Sequence, residues 1–371
     1  MKRSRPSNTS NQMRIAQLSP LIERVPPRRY GGTERVVHYL TEELVRRGHD
    51  VTLFASGDSE TKAKLVASSS HSLRSMYTSD EAAFTMLNVA KVYKSAEQFD
   101  VIHNQLDYYA FPTAYFSPVP TVTTFHGAFT LENRNIYDEY KNLNFVSISD
   151  SQRKGGPPLN WRATIYHGIP LEKFPFKADH KNYLVYVGRI SLEKGTHIAM
   201  DVAMALNMEL IIAAKLDKYD VDYFNKYVAP RLSNGGKVRW VGEVDEKERN
   251  KLTADALCLL HPITWREPFG LTMIEAMATG CPVVAFNKGS VPEIIVERKT
   301  GFIVEKESEM IRAIKKISSI SRKECRRHVE ENFNLKRMVD AYEKLYYEII
   351  NGQKQSPNTQ TTPVSRSKVL K

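Results

Sequence analysis

The feature that most constrains this chain is an alternation, run twice, of short apolar segments with stretches of helical periodicity. Met13–Pro20 (MRIAQLSP) reads as a short buried strand. A loop rich in Pro and Arg follows, then Gly31-Gly32, then Thr33, a residue type that caps helix N-termini. Val36, Val37, Leu40, Leu44 and Val45 recur at helical spacing, Gly48 closes the helix, and Asp50–Ala55 (DVTLFA) is the next strand. Such a unit requires parallel strands and a right-handed crossover. Further strands are expected over Asp100–His103, Val119–Phe125, Phe145–Ser149 and Thr164–His167.

Beyond a linker at Pro170–Lys181 the alternation restarts with Tyr183–Gly188 (YLVYVG). Strands are expected over Glu209–Ala213, Lys237–Val241, Ala256–His261 and Pro282–Phe286, separated by helical patterns. The fold class is therefore α/β: two Rossmann-like doubly wound domains, 13–175 and 176–334, facing each other across a cleft. The carboxyl ends of both sheets should border that cleft, where open α/β folds bind ligands. Helical stretches at 307–319 and 321–331 follow, then an amphipathic helix at 335–350, carried by Met338, Ala341, Leu345 and Ile349, which is expected to pack back on the first domain.

Composition narrows the function classes. A chain of 371 residues suits two cores better than one. No apolar run approaches the roughly 18 residues of a membrane span, and the basic N-terminus has no apolar segment behind it, so a cytoplasmic protein is expected. The net charge of +11 suggests nucleic acid or an anionic surface, but three cations lie in residues 1–12 and four in residues 352–371, both without an acid. Setting those aside leaves +4 for the body, which suits an anionic small molecule and gives no specific nucleic-acid signal. The tails, rich in Ser, Asn, Gln, Thr and Pro, read as disordered and capable of weak contact with an anionic inner membrane face. Cys258, Cys281 and Cys325 have no metal-ligand spacing and read as buried thiols.

The stretch Trp265–Gly280 (WREPFGLTMIEAMATG) carries most information. Glu267 and Glu275 are eight residues apart, roughly 12 Å along a helix, too far for the paired carboxylates of a glycosidase. They could serve two parts of one long ligand. The helix amides near Phe269, Gly270 and Leu271 are free for an anion, and Glu275 could accept hydrogen bonds from a ribose diol. Arg189 and Lys194, in VGRISLEKG, sit just past a strand end, where two cations can neutralise a diphosphate. Gly31 and Gly32 precede a helix, so backbone amides there could approach phosphate. This is not GxGxxG, and Val51–Phe54 is apolar where an NAD site would place a carboxylate.

In these residues the chain resembles the retaining glycosyltransferases of family 4, which have the GT-B architecture and an E-x7-E signature. PFG after Glu267 and EAMA-x-G-x-PV from Glu275 match in register, and the resemblance spans about residues 13–350. It implies that Glu267 contacts hydroxyls of a donor sugar, that Glu275 binds the ribose, and that Arg189 and Lys194 bind the phosphates. Gly31 and Gly32 match the glycine-rich donor loop, and His126, in TFHG, would border the sugar. At His167 the family usually has Asn, a departure that touches the role of that turn. Asn104, Asp107 and Tyr108 are candidates to face the acceptor. Asp220 and Asp222 formally match a metal-binding DxD but open a helix, where acids cap; no metal is expected.

The implied reaction is retaining transfer from a nucleotide-sugar co-substrate, foremost a UDP-sugar such as UDP-glucose with GDP- and ADP-sugars open, to an unidentified acceptor (lipid-linked, saccharide or small molecule), with no cofactor. Base readout is expected around Gly242–Val244. A nucleotide-sugar 2-epimerase of the same architecture, a non-catalytic nucleotide-sugar sensor and a nucleic-acid binder are the alternatives.

Overall fold

The structure, a computed structural model, describes residues 12–232 and 236–355 and contains two parallel sheets. Residues 1–11 and 356–371, most of the two basic tails, lie outside the described residues. The first sheet comprises β1 (Arg14–Leu18), β2 (Asp50–Ala55), β3 (Lys64–Ala67), β4 (Val101–Asn104), β5 (Thr121–Thr124), β6 (Asn144–Ser147) and β7 (Trp161–Thr164), in the order β3-β2-β1-β4-β5-β6-β7. The second comprises β8 (Tyr183–Ile190), β9 (Glu209–Leu216), β10 (Val238–Gly242), β11 (Cys258–His261), β12 (Val283–Phe286) and β13 (Gly301–Val304), in the order β10-β9-β8-β11-β12-β13.

Helices cover both faces of each sheet, so the inner strands are apolar throughout rather than alternating: β4, β11 and β12 are buried at every residue. Strand order reverses between β1 and β4 and again between β8 and β11. Connections leave in opposite directions at those points, which opens a crevice at the carboxyl edge of each sheet. The two domains are therefore Rossmann-like, as the alternation predicts.

Several boundaries differ from the sequence reading. The helix after the glycine pair begins at Gly32 with Gly31 in the cap position, so Thr33 is already inside it. β3 and β13 lie outside the expected strands, and β3 is a half-exposed edge strand. The last strand of the first sheet is Trp161–Thr164 rather than Thr164–His167, because the chain after Thr164 turns toward the second domain. The helical stretch from residue 307 stops at Ile314 and resumes as one 3-10 turn, Ile317–Ser319. The three cysteines are free and buried, and no helix among the described residues is long and apolar enough to cross a membrane.

The C-terminal helix, Leu335–Gln355, leaves the second domain and packs on the first. Its Met338, Val339, Tyr342, Leu345, Tyr346 and Ile349 join Ile15, Val36, Leu40 and Leu44 in one core. Its rim carries Asp340 and Glu343, which pair with Arg47, and Glu343 also meets His49 at 2.7 Å. The two passages between domains touch each other: Ile169 N–H donates to Phe333 O at 3.0 Å and Leu335 N–H donates to Ile169 O at 3.0 Å. Gly168 makes the crossing possible, since a Cβ there would lie 2.4 Å from Asn334 O. Gly168→Ala should therefore destabilise the chain by about 1–3 kcal/mol, whereas Gly236→Ala, with open space around it, should change stability little. Urea unfolding of both variants checks this; equal midpoints would show that the crossing tolerates a side chain.

Candidate functional site in the interdomain cleft

The carboxyl edges of the two sheets enclose a cavity of about 510 Å³. Two helix N-termini line it and a third follows its Lys194, and all three begin after a glycine. The helices Gly32–Arg46, Thr196–Ala205 and Leu271–Ala278 are capped by Gly31, Gly195 and Gly270, with φ of 147°, 67° and 82°, and none of the three receives a side-chain cap. Four helices elsewhere start with a side-chain cap: the side chains of Asp80, Ser149, Asp245 and Ser321 each accept a backbone N–H. At the Gly32 and Leu271 starts glycine brings the backbone close to the cavity and no cap side chain occupies the first turn, which suits an anion; at the Thr196 start the His197 N–H already donates to the Tyr223 hydroxyl at 3.1 Å.

The second sheet supplies most charged groups. Tyr186, fully buried in β8, donates to the carbonyl oxygen of Arg189 at 2.9 Å and so holds the turn after the strand. From that turn Lys194 reaches Glu267 at 2.5 Å, while the Trp265 indole N–H donates to the same carboxylate oxygen at 2.8 Å. The Lys194 ammonium also lies 4.9 Å over the Trp265 ring. Burial alone would raise the Glu267 carboxyl, but Lys194, His261 and Trp265 hold it below its ordinary range. His261, at the end of β11, is pushed down to about 4 by burial, and its Nε2 has no hydrogen-bond partner.

Arg189 pairs with Glu193 and lies 3.4 Å from Asp220. This corrects the reading of Asp220 as a helix cap. Its side chain caps nothing, whereas Asp217 accepts the Tyr219 N–H in that role. No cluster of three or more His, Cys, Asp or Glu side chains suited to a metal occurs among the described residues.

Glu275 is buried between two guanidinium groups, Arg249 Nη2 at 3.2 Å and Arg35 Nη1 at 3.5 Å. Arg249 belongs to the same domain, but Arg35 comes from the Gly32–Arg46 helix of the other. Arg35 also meets Glu246 at 3.5 Å, and Tyr39 donates to Glu246 at 2.7 Å. Nearby, Tyr30 N–H donates to Glu243 at 2.8 Å. The first domain thus grips the second through one helix and the loop before it. On the far side of the cleft Glu293 accepts from the amides of Asp150 and Ser151 and from the Tyr166 hydroxyl, at 2.6–2.9 Å.

Of the residues singled out from the sequence, Gly31, Gly32, His126, Arg189, Lys194, Glu267, Phe269, Gly270, Leu271 and Glu275 all line this cavity, as do Glu243 and Val244. Asn104, Asp107 and Tyr108 do not. Asn104 is fully buried, its amide donating to Asp107 O and Thr123 Oγ1. Asp107 has a φ of 51° and a carboxyl that burial pushes up to about 7, and Tyr108 stacks on Tyr109. His167, the departure from the expected Asn, lies against His126 with ring centroids 5.3 Å apart and against Phe269 at 4.8 Å.

Sequence reasoning missed Arg35, Arg249, Glu34, His261 and Trp265, all at the cavity. Glu34 is buried, accepts the Glu23 N–H, and is pushed up to about 7. Arg35 and Glu34 had a signal in the first turn after the glycines, His261 in ending an expected strand and Trp265 in opening the Glu267 stretch; Arg249 lies in a strongly charged helix that reads as solvent-facing.

The chain matches the family model "Glycosyl transferases group 1" over residues 170–335 and "Glycosyltransferase Family 4" over residues 30–162. It is 27% identical over 333 residues to glycogen synthase of Mycobacterium tuberculosis, covering 74% of this chain and 79% of that protein. Among solved structures it resembles sucrose-phosphate synthase of Thermosynechococcus elongatus (TM-score 0.77, 19% identity, 92% of this chain and 100% of the other). It also resembles the Anabaena protein HepE, solved with UDP and glucose (TM-score 0.71, 20% identity, 91% and 100%). Two domain models in tandem, glycosyltransferase relatives and the GT-B fold agree: the chain belongs to the family 4 glycosyltransferases of GT-B architecture.

Proposed function

We propose that this glycosyltransferase takes its sugar from a UDP-sugar, UDP-glucose foremost, and transfers it with retention of anomeric configuration and without a divalent ion. The observation that carries the reading is the placement of Arg189, Lys194 and two uncapped helix starts, at Gly32 and Leu271, around one cavity that also holds Glu267 and Glu275. A nucleotide sugar has that sequence of demands: hydroxyls on a sugar, negative charge on a diphosphate, a ribose diol and a base. HepE, crystallised with UDP and with UDP-glucose, is a neighbour of the same fold that binds such a donor.

In this reading Glu267, kept ionised by Lys194, accepts from donor-sugar hydroxyls. Glu275, held by Arg249, accepts from the ribose, and Glu243 and Val244 flank the base. As the bond from the sugar's anomeric carbon to the phosphate oxygen breaks, charge grows on the diphosphate. Arg189, Lys194 and the helix amides stabilise it more strongly in the transition state than in the ground state. The acceptor hydroxyl attacks on the same face and gives its proton to an oxygen of the departing phosphate, so no protein nucleophile is required. The acceptor enters from the first domain, past His126 and the loop of Asp107 and Tyr108. Function in the cytoplasm, with the basic tails touching anionic membrane, fits the charge distribution.

A thermal-shift screen of nucleotides and nucleotide sugars tests the donor, because stabilisation grows with ligand occupancy. Glu275→Gln should weaken UDP binding about tenfold or more through lost hydrogen bonds to a charged acceptor, and calorimetry in which affinity stays unchanged would remove the ribose role. Lys194→Met should lower kcat about 10²-fold while leaving the chain folded. It should also raise the pH at which activity is lost on the acid side. The mutation removes a cation that keeps the Glu267 carboxyl low, so protonation begins at higher pH. A kcat near the parent value would sink that role.

Release of UDP from UDP-glucose should persist in excess EDTA. Asp220→Asn should change kcat by less than about fivefold, since its ion pair with a partly exposed Arg189 is worth little. Loss of turnover on chelation, restored by manganese or magnesium, would overturn the metal-free mechanism.

A further inference from the structure

A buried chain of hydrogen bonds runs from the cleft to the C-terminal helix. It begins at His126 Nε2, 2.8 Å from Gln105 Oε1. Gln105 Nε2 donates to Gln17 Oε1 at 2.9 Å, and Gln17 Nε2 donates to the Tyr346 hydroxyl at 3.4 Å. That hydroxyl lies 2.6 Å from His103 Nδ1, and His103 Nε2 lies 2.8 Å from Thr124 Oγ1, which meets the Tyr342 hydroxyl at 3.0 Å. Gln17, Gln105, His103, Thr124, Tyr342 and Tyr346 are all at most 3% exposed. So many polar groups in one core are tolerated only when each finds a partner, and here each does.

The chain has a direction. A carboxamide oxygen only accepts and its nitrogen only donates. With the amides as they lie, His126 Nε2 must carry a proton to reach Gln105 Oε1. The Tyr346 hydroxyl accepts from Gln17, and giving its own proton to His103 Nδ1 satisfies both groups, an arrangement that leaves the His103 proton on Nε2 toward Thr124. We propose that Gln105 is a positioning residue that fixes His126 as the Nε2–H tautomer, leaving Nδ1 as a hydrogen-bond acceptor for a hydroxyl of the donor sugar. This rests on the reading of His126 as bordering that sugar.

The surroundings keep the acceptor state available. Burial holds His126 at about 4 and His103 at about 3, so both are neutral near pH 7. The groups around His126 are His103 behind it, His167 stacked on it, the Asp107 carboxyl that accepts its backbone N–H, and, sharing the cavity, Lys194, Arg189, Glu267 and Glu275. Protonation would turn Nδ1 into a donor and lose the hydroxyl contact. The contact is therefore present above the His126 pKa and lost as pH falls through it.

The test compares UDP-glucose with UDP, which lacks the sugar, by calorimetry, and reads the His126 tautomer from nitrogen-15 imidazole shifts. The parent protein should show Nε2–H at neutral pH. Gln105→Leu should mix the tautomers and weaken UDP-glucose roughly tenfold, the loss of one hydrogen bond, with UDP unchanged. Tyr346→Phe, which interrupts the chain behind Gln17, should act in the same direction and more weakly. Gln105→Glu keeps the shape and places a carboxylate against the imidazole, which favours its charged form. The pH below which UDP-glucose affinity falls should rise by about one unit or more, again with UDP flat. A purely structural role would not move that midpoint. An Nδ1–H tautomer in the parent, equal losses for UDP and UDP-glucose, or an unmoved midpoint in Gln105→Glu would overturn the proposal. His126→Phe separates the two layers. If it leaves UDP-glucose affinity intact, the placement of His126 at the sugar is wrong and the proposal falls with it. If affinity drops while the Gln105 variants change neither tautomer nor midpoint, only the positioning role is lost.

Discussion

A carboxylate buried between two guanidinium groups holds this architecture together at its centre. Glu275 cannot sit 3% exposed as a lone ion, because the desolvation cost far exceeds what burial of its methylenes returns. Arg249 supplies a partner from its own domain, and Arg35 supplies one from across the cleft. The second pairing requires the Gly32–Arg46 helix to lie against the second domain, which also places its uncapped N-terminus at the cavity. One electrostatic requirement therefore sets both domain apposition and the position of an anion-binding helix start. Glu246, shared between Arg35 and Tyr39, extends the same contact outward.

This arrangement ties substrate binding to domain geometry. In the proposed function the ribose hydroxyls approach a carboxylate that already holds the domains together, so the donor becomes a further member of the network. Glu293 secures the other side of the cleft by accepting two amides at the start of the Asp150–Gly155 helix. The cavity is thus bounded on both sides by contacts in which one domain provides a carboxylate and the other provides N–H or guanidinium donors. Such contacts are directional and exchange readily with water, unlike an apolar seam. They suit a cleft that must admit and release its ligands.

The asymmetry between the domains follows the chemistry asked of each. The second carries Arg189, Lys194, Arg249 and both glutamates of the Trp265–Gly280 stretch, whereas the first contributes backbone amides, Arg29, Arg35, Arg74, Glu34 and the neutral imidazoles of His126 and His167. The C-terminal helix completes the first domain from behind, filling its core with Tyr342 and Tyr346 and supplying their hydroxyls as further partners to a buried row of Gln, His and Thr. The two passages between domains must then run side by side, which is why a glycine stands at residue 168.

Much of this was legible in the amino-acid order. Continuous apolar runs separated by helical periodicity dictate parallel sheets covered on both faces, and the restart after Pro170 dictates that there are two. Glycines immediately before helices, and Glu267 in the loop before one with Glu275 inside it, mark the cavity because their effects are local: positive φ, free amides and helix register. What the order left open was pairing. Lys194 meets Glu267 across 73 residues, and His103 meets Tyr346 across 243. The same types at other spacings would read alike, so Arg249 looks like surface charge and Asn104 like a ligand. Strand order and the return of the last helix decide which charged side chains become buried and against whom. Burial in turn decides whether a glutamate is a solvated ion, a clamp between arginines or a group pushed toward neutrality, because the energy of a charge depends on partners that only the tertiary structure brings within a few ångströms.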